Sequence, residues 1–179
     1  MSILIDVRDL LNQPGASRTV LVSELVPGLG TDLAAVPADH RIEAELLLES
    51  VVEGVLASGP VTGDMAMVCA SCLKSFQSDF RLEVQELFAE GAGAEDDEYP
   101  VDEGSIDVEP MIRDAVVLSM PFAPLCRPDC LGLCPRCGGD RNLGECRCEP
   151  EADPRWAGLS AVDLERLDRA ASHSHDRSR

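Results

Sequence analysis

Aromatic residues and lysine are scarce in this chain of 179 residues. Aromatic side chains make up 3% of the sequence, so the core of a globular fold has to be built mainly from aliphatic residues. Lys74 is the one lysine among 15 basic residues, and we interpret this as a bias of composition without functional meaning.

Long apolar segments and a basic N-terminus are also missing. No apolar run approaches the roughly 20 residues of a membrane-spanning helix. Asp6 and Asp9 stand where a secretory signal carries bases. We therefore predict a cytoplasmic protein without a membrane partner.

The common catalytic motifs are missing as well. The sequence contains no nucleophile elbow, P-loop, dinucleotide-binding glycine fingerprint or pair of catalytic carboxylates. We therefore expect a protein that is not an enzyme and has no small-molecule substrate.

Negative charge is abundant and unevenly spread. The formal net charge is −18, and Arg113 is the single base within residues 89–125. Such a surface repels phosphate backbones and attracts basic proteins. Residues 89–107 combine high charge with low hydrophobicity, which predicts a solvated acidic loop. The functional alternative for this loop is a docking surface for a basic partner.

Alternation of apolar and charged residues predicts a β-rich fold. From Arg41 onward, apolar residues alternate with glutamates, which is typical of a half-buried antiparallel strand. Further strands are expected on either side of a turn at Gly59–Pro60, and again over 79–88. An antiparallel sheet or a partly open barrel accommodates these strands.

A helix near 108–120, with Asp107 as its N-cap, makes the predicted fold class α+β. We divide the chain into a β-rich core domain over 1–125 and a cysteine-rich zinc-knuckle segment over 126–160 that packs on it. Residues 161–179 are expected to form a short helix and a disordered tail.

Eight cysteines in four close pairs are the most specific feature of the sequence. Zn²⁺ takes four tetrahedral ligands and favours thiolates, so eight thiols equal two complete sites. In a reducing cytoplasm, clustered cysteines indicate metal binding rather than disulfides. The pairs are Cys69 and Cys72, Cys126 and Cys130, Cys134 and Cys137, and Cys146 and Cys148.

Two structural zinc sites follow if neighbouring pairs combine. The last four cysteines could close a local site, and the first four a site that joins the sheet to the C-terminal segment. A single zinc site, or an iron–sulfur cluster on four of the thiols, are the alternatives. A thioredoxin-type redox pair is disfavoured, because Cys69 ends a predicted strand instead of beginning a helix. Since closed four-thiolate sites leave no coordination position open, catalysis at the metal is not expected.

Four stretches of the chain have a counterpart in a known family. They are Cys69-Ala-Ser-Cys72-Leu after a strand, Leu118-Ser-Met-Pro-Phe-Ala-Pro-Leu-Cys126, Cys130-Leu-Gly-Leu-Cys134-Pro-Arg-Cys137-Gly, and Asp153-Pro-Arg-Trp-Ala-Gly-Leu. In combination they resemble the YceD family (DUF177), in an actinobacterial-like form. The resemblance implies a ribosome-biogenesis factor that supports accumulation or processing of large-subunit (23S) ribosomal RNA. It places the partner in the large ribosomal subunit precursor, as a basic ribosomal protein or ribosomal RNA.

Charge favours a protein over RNA as the direct partner. We expect the acidic surface to dock a basic ribosomal protein during large-subunit assembly. One alternative is a regulator whose thiolates respond to zinc or to redox state. The other is direct binding of ribosomal RNA, through four arginines of the cysteine-rich segment: Arg127, Arg136, Arg141 and Arg147.

Overall fold

The computed structural model describes residues 2–92, 98–149 and 155. Within them the chain forms a series of strands, followed by one α-helix and a 3₁₀ turn. The strands are β1 (Leu4–Asp6), β2 (Ser17–Glu24), β3 (Ala34–Ala35), β4 (Ile42–Val51), β5 (Gly54–Val68), β6 (Ser75–Glu90), β7 (Tyr99–Asp102) and β8 (Ser105–Asp107). The helix α1 spans Glu109–Ser119, and the 3₁₀ turn spans Arg141–Leu143.

All strands belong to one sheet, in the order β1-β8-β7-β6-β5-β4-β2, with β3 paired to β5. Neighbours are antiparallel except for β6 and β7, which are parallel. The sheet curls so that its two ends approach each other: Arg18 of β2 donates to the carbonyl oxygen of Asp6 and to the carboxylate of Asp9, just beyond β1. The fold is therefore a mostly β, open half-barrel with one helix, in agreement with the predicted class.

An aliphatic core fills the inner side of the sheet, as the scarcity of aromatic residues predicted. Phe88 is the one aromatic side chain among the buried hydrophobic residues described, and its ring stacks on Tyr99 with centroids 5.4 Å apart. Five alternate residues of β4 are buried, and four of them are hydrophobic: Ile42, Ala44, Leu46 and Leu48. The helix closes this core with three buried residues: Met111, Ile112 and Val116.

Gly59 and Pro60 do not form the predicted turn. They lie inside β5, which pairs with β6 from Gly54 to Val68. Pro60 lacks a backbone N–H, so the ladder between β4 and β5 is interrupted at this point. Gly59 permits close approach there, since a Cβ would lie 2.1 Å from the carbonyl oxygen of Glu45. The same two residues can therefore mark a gap in a ladder as well as a turn.

The predicted acidic loop over 89–107 is wrong for most of its described residues. β6 continues to Glu90, and β7 and β8 occupy much of the remainder. Tyr99 and Ile106 supply the apolar contacts that order this segment, because Tyr99 stacks on Phe88 and Ile106 is fully buried. Residues 93–97, which include all of the acidic run 95–98 except Glu98, lie outside the described residues.

The predicted helix is present, but its N-cap is Val108 and not Asp107. Asp107 ends β8, and its Oδ1 accepts hydrogen bonds from the N–H groups of Ile3 (2.8 Å) and Glu109 (3.1 Å). The carboxylate thus accepts a hydrogen bond from an otherwise unpaired backbone N–H of the helix's first turn, although Asp107 lies one residue before the N-cap. Among the described residues, no helix is long and apolar enough to cross a membrane. The predicted helix and tail of 161–179 lie outside the described residues, and the division into domains stays a prediction.

Candidate metal centres

The turn between β5 and β6 carries the first pair of cysteines. Cys69 directly follows β5, and Cys72 lies three residues later in the same turn. Cys126 and Cys130 reach them from the segment after α1, and the four Sγ atoms all lie within 4.8 Å of one another. We call this group the hairpin site.

Backbone hydrogen bonds also fix the C-terminal segment on this hairpin. The N–H of Ala70 donates to the carbonyl oxygen of Pro124 at 2.8 Å, and the N–H of Leu133 donates to that of Ser71 at 2.9 Å. Gly132 is in close contact as well, since a Cβ there would lie 2.8 Å from the carbonyl oxygen of Ser71. The hairpin site is therefore framed on both sides by main-chain contacts.

The other four cysteines form a second group further along the chain. Cys134 and Cys137 occupy a tight turn, Cys146 and Cys148 follow the 3₁₀ turn, and the four Sγ atoms again lie within 4.8 Å of one another. Gly139 packs against this group, because a Cβ there would lie 3.4 Å from the Sγ of Cys137. We call this group the C-terminal site. The structure thus brings together the same two groups of four that the order of the pairs suggested.

Both Cys-x₂-Cys turns have the same backbone arrangement. The N–H of Leu73 donates to the carbonyl oxygen of Cys69 at 2.9 Å, and the N–H of Gly138 donates to that of Cys134 at 2.8 Å. The donor residue is left-handed in each turn, with φ of 60° at Leu73 and 72° at Gly138. A leucine in this conformation costs about 1–2 kcal/mol relative to ordinary helical backbone. The hairpin turn therefore keeps this backbone conformation although the side chain of Leu73 disfavours it.

The distances between sulfurs fit a single tetrahedral ion in the hairpin site. The Sγ atoms of Cys69 and Cys130 are 3.8 Å apart, and those of Cys72 and Cys126 are 3.7 Å apart. Four thiolates at the usual Zn–S distance of about 2.3 Å define a tetrahedron with edges of about 3.8 Å. A disulfide requires about 2.05 Å, so neither pair is one. A cluster of several irons, whose thiolates bind different metal atoms, would hold the sulfurs further apart.

The pKa values of the thiols differ strongly within each site. A hydrogen bond from the backbone of Cys126 lowers the pKa of Cys69 to about 6, and one from the backbone of Cys137 lowers the pKa of Cys134 to about 6. Burial raises the pKa of Cys126 to about 12, and a hydrogen bond with the side chain of Cys137 raises the pKa of Cys148 to about 12. One thiol of each site thus ionises readily, whereas Cys126 resists ionisation mainly because it is buried, and the charge of neighbouring thiolates adds repulsion at both Cys126 and Cys148. A divalent cation removes that repulsion, so each group could hold one metal ion, and the donor set suits Zn²⁺.

Asp140 links the two sites, although no motif in the sequence pointed to it. Its carboxylate is 8% exposed and lies 2.8 Å from the Nζ of Lys74. The hydrogen bond from Lys74 lowers the pKa of Asp140 to about 2. Lys74 belongs to the hairpin, whereas Asp140 follows the turn of the C-terminal site, so this pair joins the two. The interpretation of the single lysine as a bias of composition is therefore wrong; its position two residues after Cys72 was the available signal.

Asn142 contacts one of the four cysteines of the hairpin site and the backbone next to it. Its Nδ2 lies 3.6 Å from the Sγ of Cys130, and its Oδ1 accepts from the N–H of Leu131 (2.9 Å) and from Arg127 (2.8 Å). Hydrogen bonds of this kind orient metal ligands and tune their basicity. No spacing or composition in the sequence distinguishes this asparagine.

The structure brings two of the four candidate arginines together. Arg136 and Arg141 line a cavity of about 360 Å³ beside the C-terminal site. Arg127 instead donates to Asn142, next to the hairpin site. Arg147 is exposed between two ligands of the C-terminal site but is not part of the cavity lining. Of the four arginines, Arg136 and Arg141 therefore share this cavity, whose lining also includes Glu149.

A sequence model of one known family matches the chain over residues 57–162, which include all eight cysteines. The family is described as "Large ribosomal RNA subunit accumulation protein YceD". The match begins inside β5 and extends past both metal sites.

Mycobacterial proteins are similar over most of the chain. An uncharacterized protein of Mycobacterium tuberculosis is 36% identical over 162 residues, which cover 87% of this chain and 78% of the relative. One of Mycobacterium leprae is 34% identical over 167 residues, 88% of this chain and 76% of the relative. A maize protein (Zea mays) named "Large ribosomal RNA subunit accumulation protein YCED homolog 1, chloroplastic" is 36% identical over 53 residues, 29% of this chain and 18% of its own length. No solved structure is significantly similar.

Proposed function

The chain belongs to the YceD family, and from that premise we propose that it is a non-catalytic factor of large-subunit ribosome assembly built around two structural zinc sites. The family match over residues 57–162 carries this proposal, because the family is described by the accumulation of large-subunit ribosomal RNA. The protein would act in the cytoplasm, where the ribosomal precursor and reduced thiols are both found.

Zinc would have a structural role in both sites. Each group offers four thiolates, which complete the coordination of zinc and leave no position for a substrate or an activated water. Because the free energy of zinc binding appears as folding free energy, the hairpin site would hold the C-terminal segment against β5 and β6. Lys74, Asp140 and Asn142 would keep the two sites in a fixed relation.

A basic ribosomal protein is the proposed direct partner. The net charge of −18 favours encounter with a cationic surface and disfavours contact with phosphates. The protein would bind the ribosomal protein before or during delivery of that partner to the precursor. The acidic surface would cover the part of the ribosomal protein that later binds RNA.

Depletion of the protein in its host tests the role in assembly. We expect large-subunit particles and 23S ribosomal RNA to fall, while the small subunit and its RNA are retained. Equal loss of both subunits, or no loss, would contradict the proposal. Pull-downs against purified large-subunit ribosomal proteins test the partner, and binding at about 50 mM salt that is lost at about 500 mM is expected from charge screening.

Two observations favour other candidates. The cavity lined by Arg136 and Arg141 favours direct contact with ribosomal RNA, and replacing both by alanine would then abolish crosslinks to RNA. The solvent exposure of Cys137 and Cys148 favours a redox regulator, since an oxidant reaches exposed zinc ligands first. Release of zinc by peroxide, with ribosome assembly unchanged by depletion, would support that second candidate.

A further inference from the structure

The outer face of the sheet, turned away from the core, carries carboxylates and leucines in adjacent positions. The cross-strand register aligns Leu21 of β2 with Glu45 of β4, and Leu47 of β4 with Ser58 of β5. It also aligns Pro60 of β5 with Glu83 of β6. We call the outward-facing residues of these strands the outer face: Leu21, Glu43, Glu45, Leu47, Glu49, Ser58, Pro60, Thr62, Arg81 and Glu83.

The carboxylates of β4 are unpaired. No ion pair among the described residues joins Glu43, Glu45 or Glu49 to a base. The two arginines near them are already engaged, Arg81 with Glu83 at 3.2 Å and Arg41 with Glu24 at 3.9 Å. The outer face therefore presents negative charge that its own bases do not neutralise.

Apolar surface lies beside these carboxylates. Leu21 is 78% exposed and Leu47 is 37% exposed. Leu21 and Pro60 also line a groove of about 350 Å³ together with Glu43 and Glu45. Arg81 lines it as well, but its guanidinium is paired with Glu83, so the two glutamates remain without a base. The groove lies where Pro60 interrupts the ladder between β4 and β5. Apolar walls next to unpaired carboxylates suit an arginine or lysine, which lays its aliphatic stem on apolar surface and keeps its charged group at a carboxylate.

The spacing of the glutamates fits an extended ligand. Alternate residues of a strand lie about 6.8 Å apart on the same side. Glu43 and Glu45 are one such step apart, and Glu49 follows two steps later. An extended peptide with basic residues at alternate positions repeats its charges at the same interval.

We propose that the outer face docks an extended, arginine- or lysine-rich segment of a partner protein, with one basic side chain in the groove between Leu21, Glu45 and Pro60. The identity of the partner as a ribosomal protein rests on the proposed function, whereas the surface rests on the geometry of the sheet. A basic, extended segment is the ligand that fits this surface, because it complements the charge of the glutamates and repeats its own charges at the same spacing.

A defined probe tests this surface with the full-length, zinc-loaded protein. The probe is a fluorescein-labelled nonapeptide of alternating arginine and serine, and fluorescence anisotropy gives its Kd at low salt. Combined Glu43→Gln, Glu45→Gln and Glu49→Gln should weaken binding about tenfold, which corresponds to about 1.4 kcal/mol, or about 0.5 kcal/mol for each of three exposed ion pairs. Leu21→Ser alone should weaken binding about threefold through the lost apolar wall.

A matched variant separates this surface from general attraction to an acidic protein. Glu53→Gln, Glu90→Gln and Glu103→Gln change the net charge by the same amount at exposed positions outside the outer face. We expect less than a threefold change for this variant. Equal weakening by both sets, or no weakening by the outer-face set, overturns the proposal. A peptide with the same residues but contiguous arginines should bind more weakly, and equal binding would overturn the extended mode.

The outcomes also separate this surface from the proposed function. Unchanged peptide binding by the outer-face variant, together with loss of 23S ribosomal RNA on depletion, refutes the surface and leaves the assembly role standing. Weakened peptide binding, together with normal 23S ribosomal RNA on depletion, supports the surface and refutes the assembly role.

Discussion

Replacing Gly132 by alanine should destabilise the protein without altering a metal ligand. Gly132 has φ of +69°, a conformation that costs alanine about 1–2 kcal/mol. The new Cβ would also lie 2.8 Å from the carbonyl oxygen of Ser71, so the two segments have to separate. Their separation removes the 2.9 Å hydrogen bond from Leu133 to Ser71, for about 1 kcal/mol more. After about 0.5 kcal/mol is regained by restricting the unfolded chain, the net loss is about 2 kcal/mol.

Gly144→Ala is the matched control for this substitution. Gly144 has φ of +70°, but no atom lies within 4 Å of a Cβ placed there, so the substitution carries the backbone cost alone. For a protein of this size, the expected fall in Tm is about 4–8 °C for Gly132→Ala and about 2–4 °C for Gly144→Ala. Differential scanning calorimetry of the zinc-loaded proteins measures both. Equal losses of Tm would refute the account in which contact with Ser71 holds the C-terminal segment on the hairpin.

Further predictions concern the thiols and the hairpin turn. Metal analysis should show that Cys130→Ser and Cys137→Ser each remove one bound zinc. Only Cys130→Ser should also lower the temperature of the main unfolding transition of the sheet. Equal effects of the two substitutions on that transition would count against the structural role of the hairpin site. Leu73→Gly relieves a left-handed leucine at an exposed position, so urea unfolding should show a gain of about 0.5 kcal/mol, and a loss of stability would contradict this reading of the turn. In the metal-free protein, the pKa of Cys69 and Cys134 is lowered from 9.0 to about 6, so their ionisation stabilises the fold fully above pH 9, and this contribution disappears as the pH falls through 6. Thiolate absorbance at 240 nm should therefore show a step near pH 6 that Cys69→Ala combined with Cys134→Ala abolishes; a step that persists would show that other thiols carry it.

The periodicity of apolar residues and the number of cysteines predicted the structure well. The alternation in β4 follows from a two-sided environment, so Ile42 and its alternate neighbours were correctly expected to face a core. The cysteine groups could be predicted because four ligands are required for each ion and short spacings limit which pairs can combine.

Features that depend on tertiary contacts could not be predicted from local signals. Gly59 and Pro60 have the composition of a turn, yet the pairing of β5 with β6 on the other side keeps the strand continuous. The segment around β7 is acidic, but the stacking of Tyr99 on Phe88 across the sheet orders it. Asp140 became recognisable only when folding placed it 2.8 Å from Lys74.

The metal content and coordination of the purified protein test the central claim most directly. Elemental analysis combined with zinc-edge X-ray absorption measures both, on protein purified without chelators and under anaerobic conditions. We predict one zinc in each of the two cysteine groups, with four sulfur ligands at about 2.3 Å and no thiol that reacts before a chelator is added. A protein that holds fewer than two zinc ions, or binds them through oxygen or nitrogen ligands, would contradict the account of two four-thiolate sites that join the C-terminal segment to the sheet.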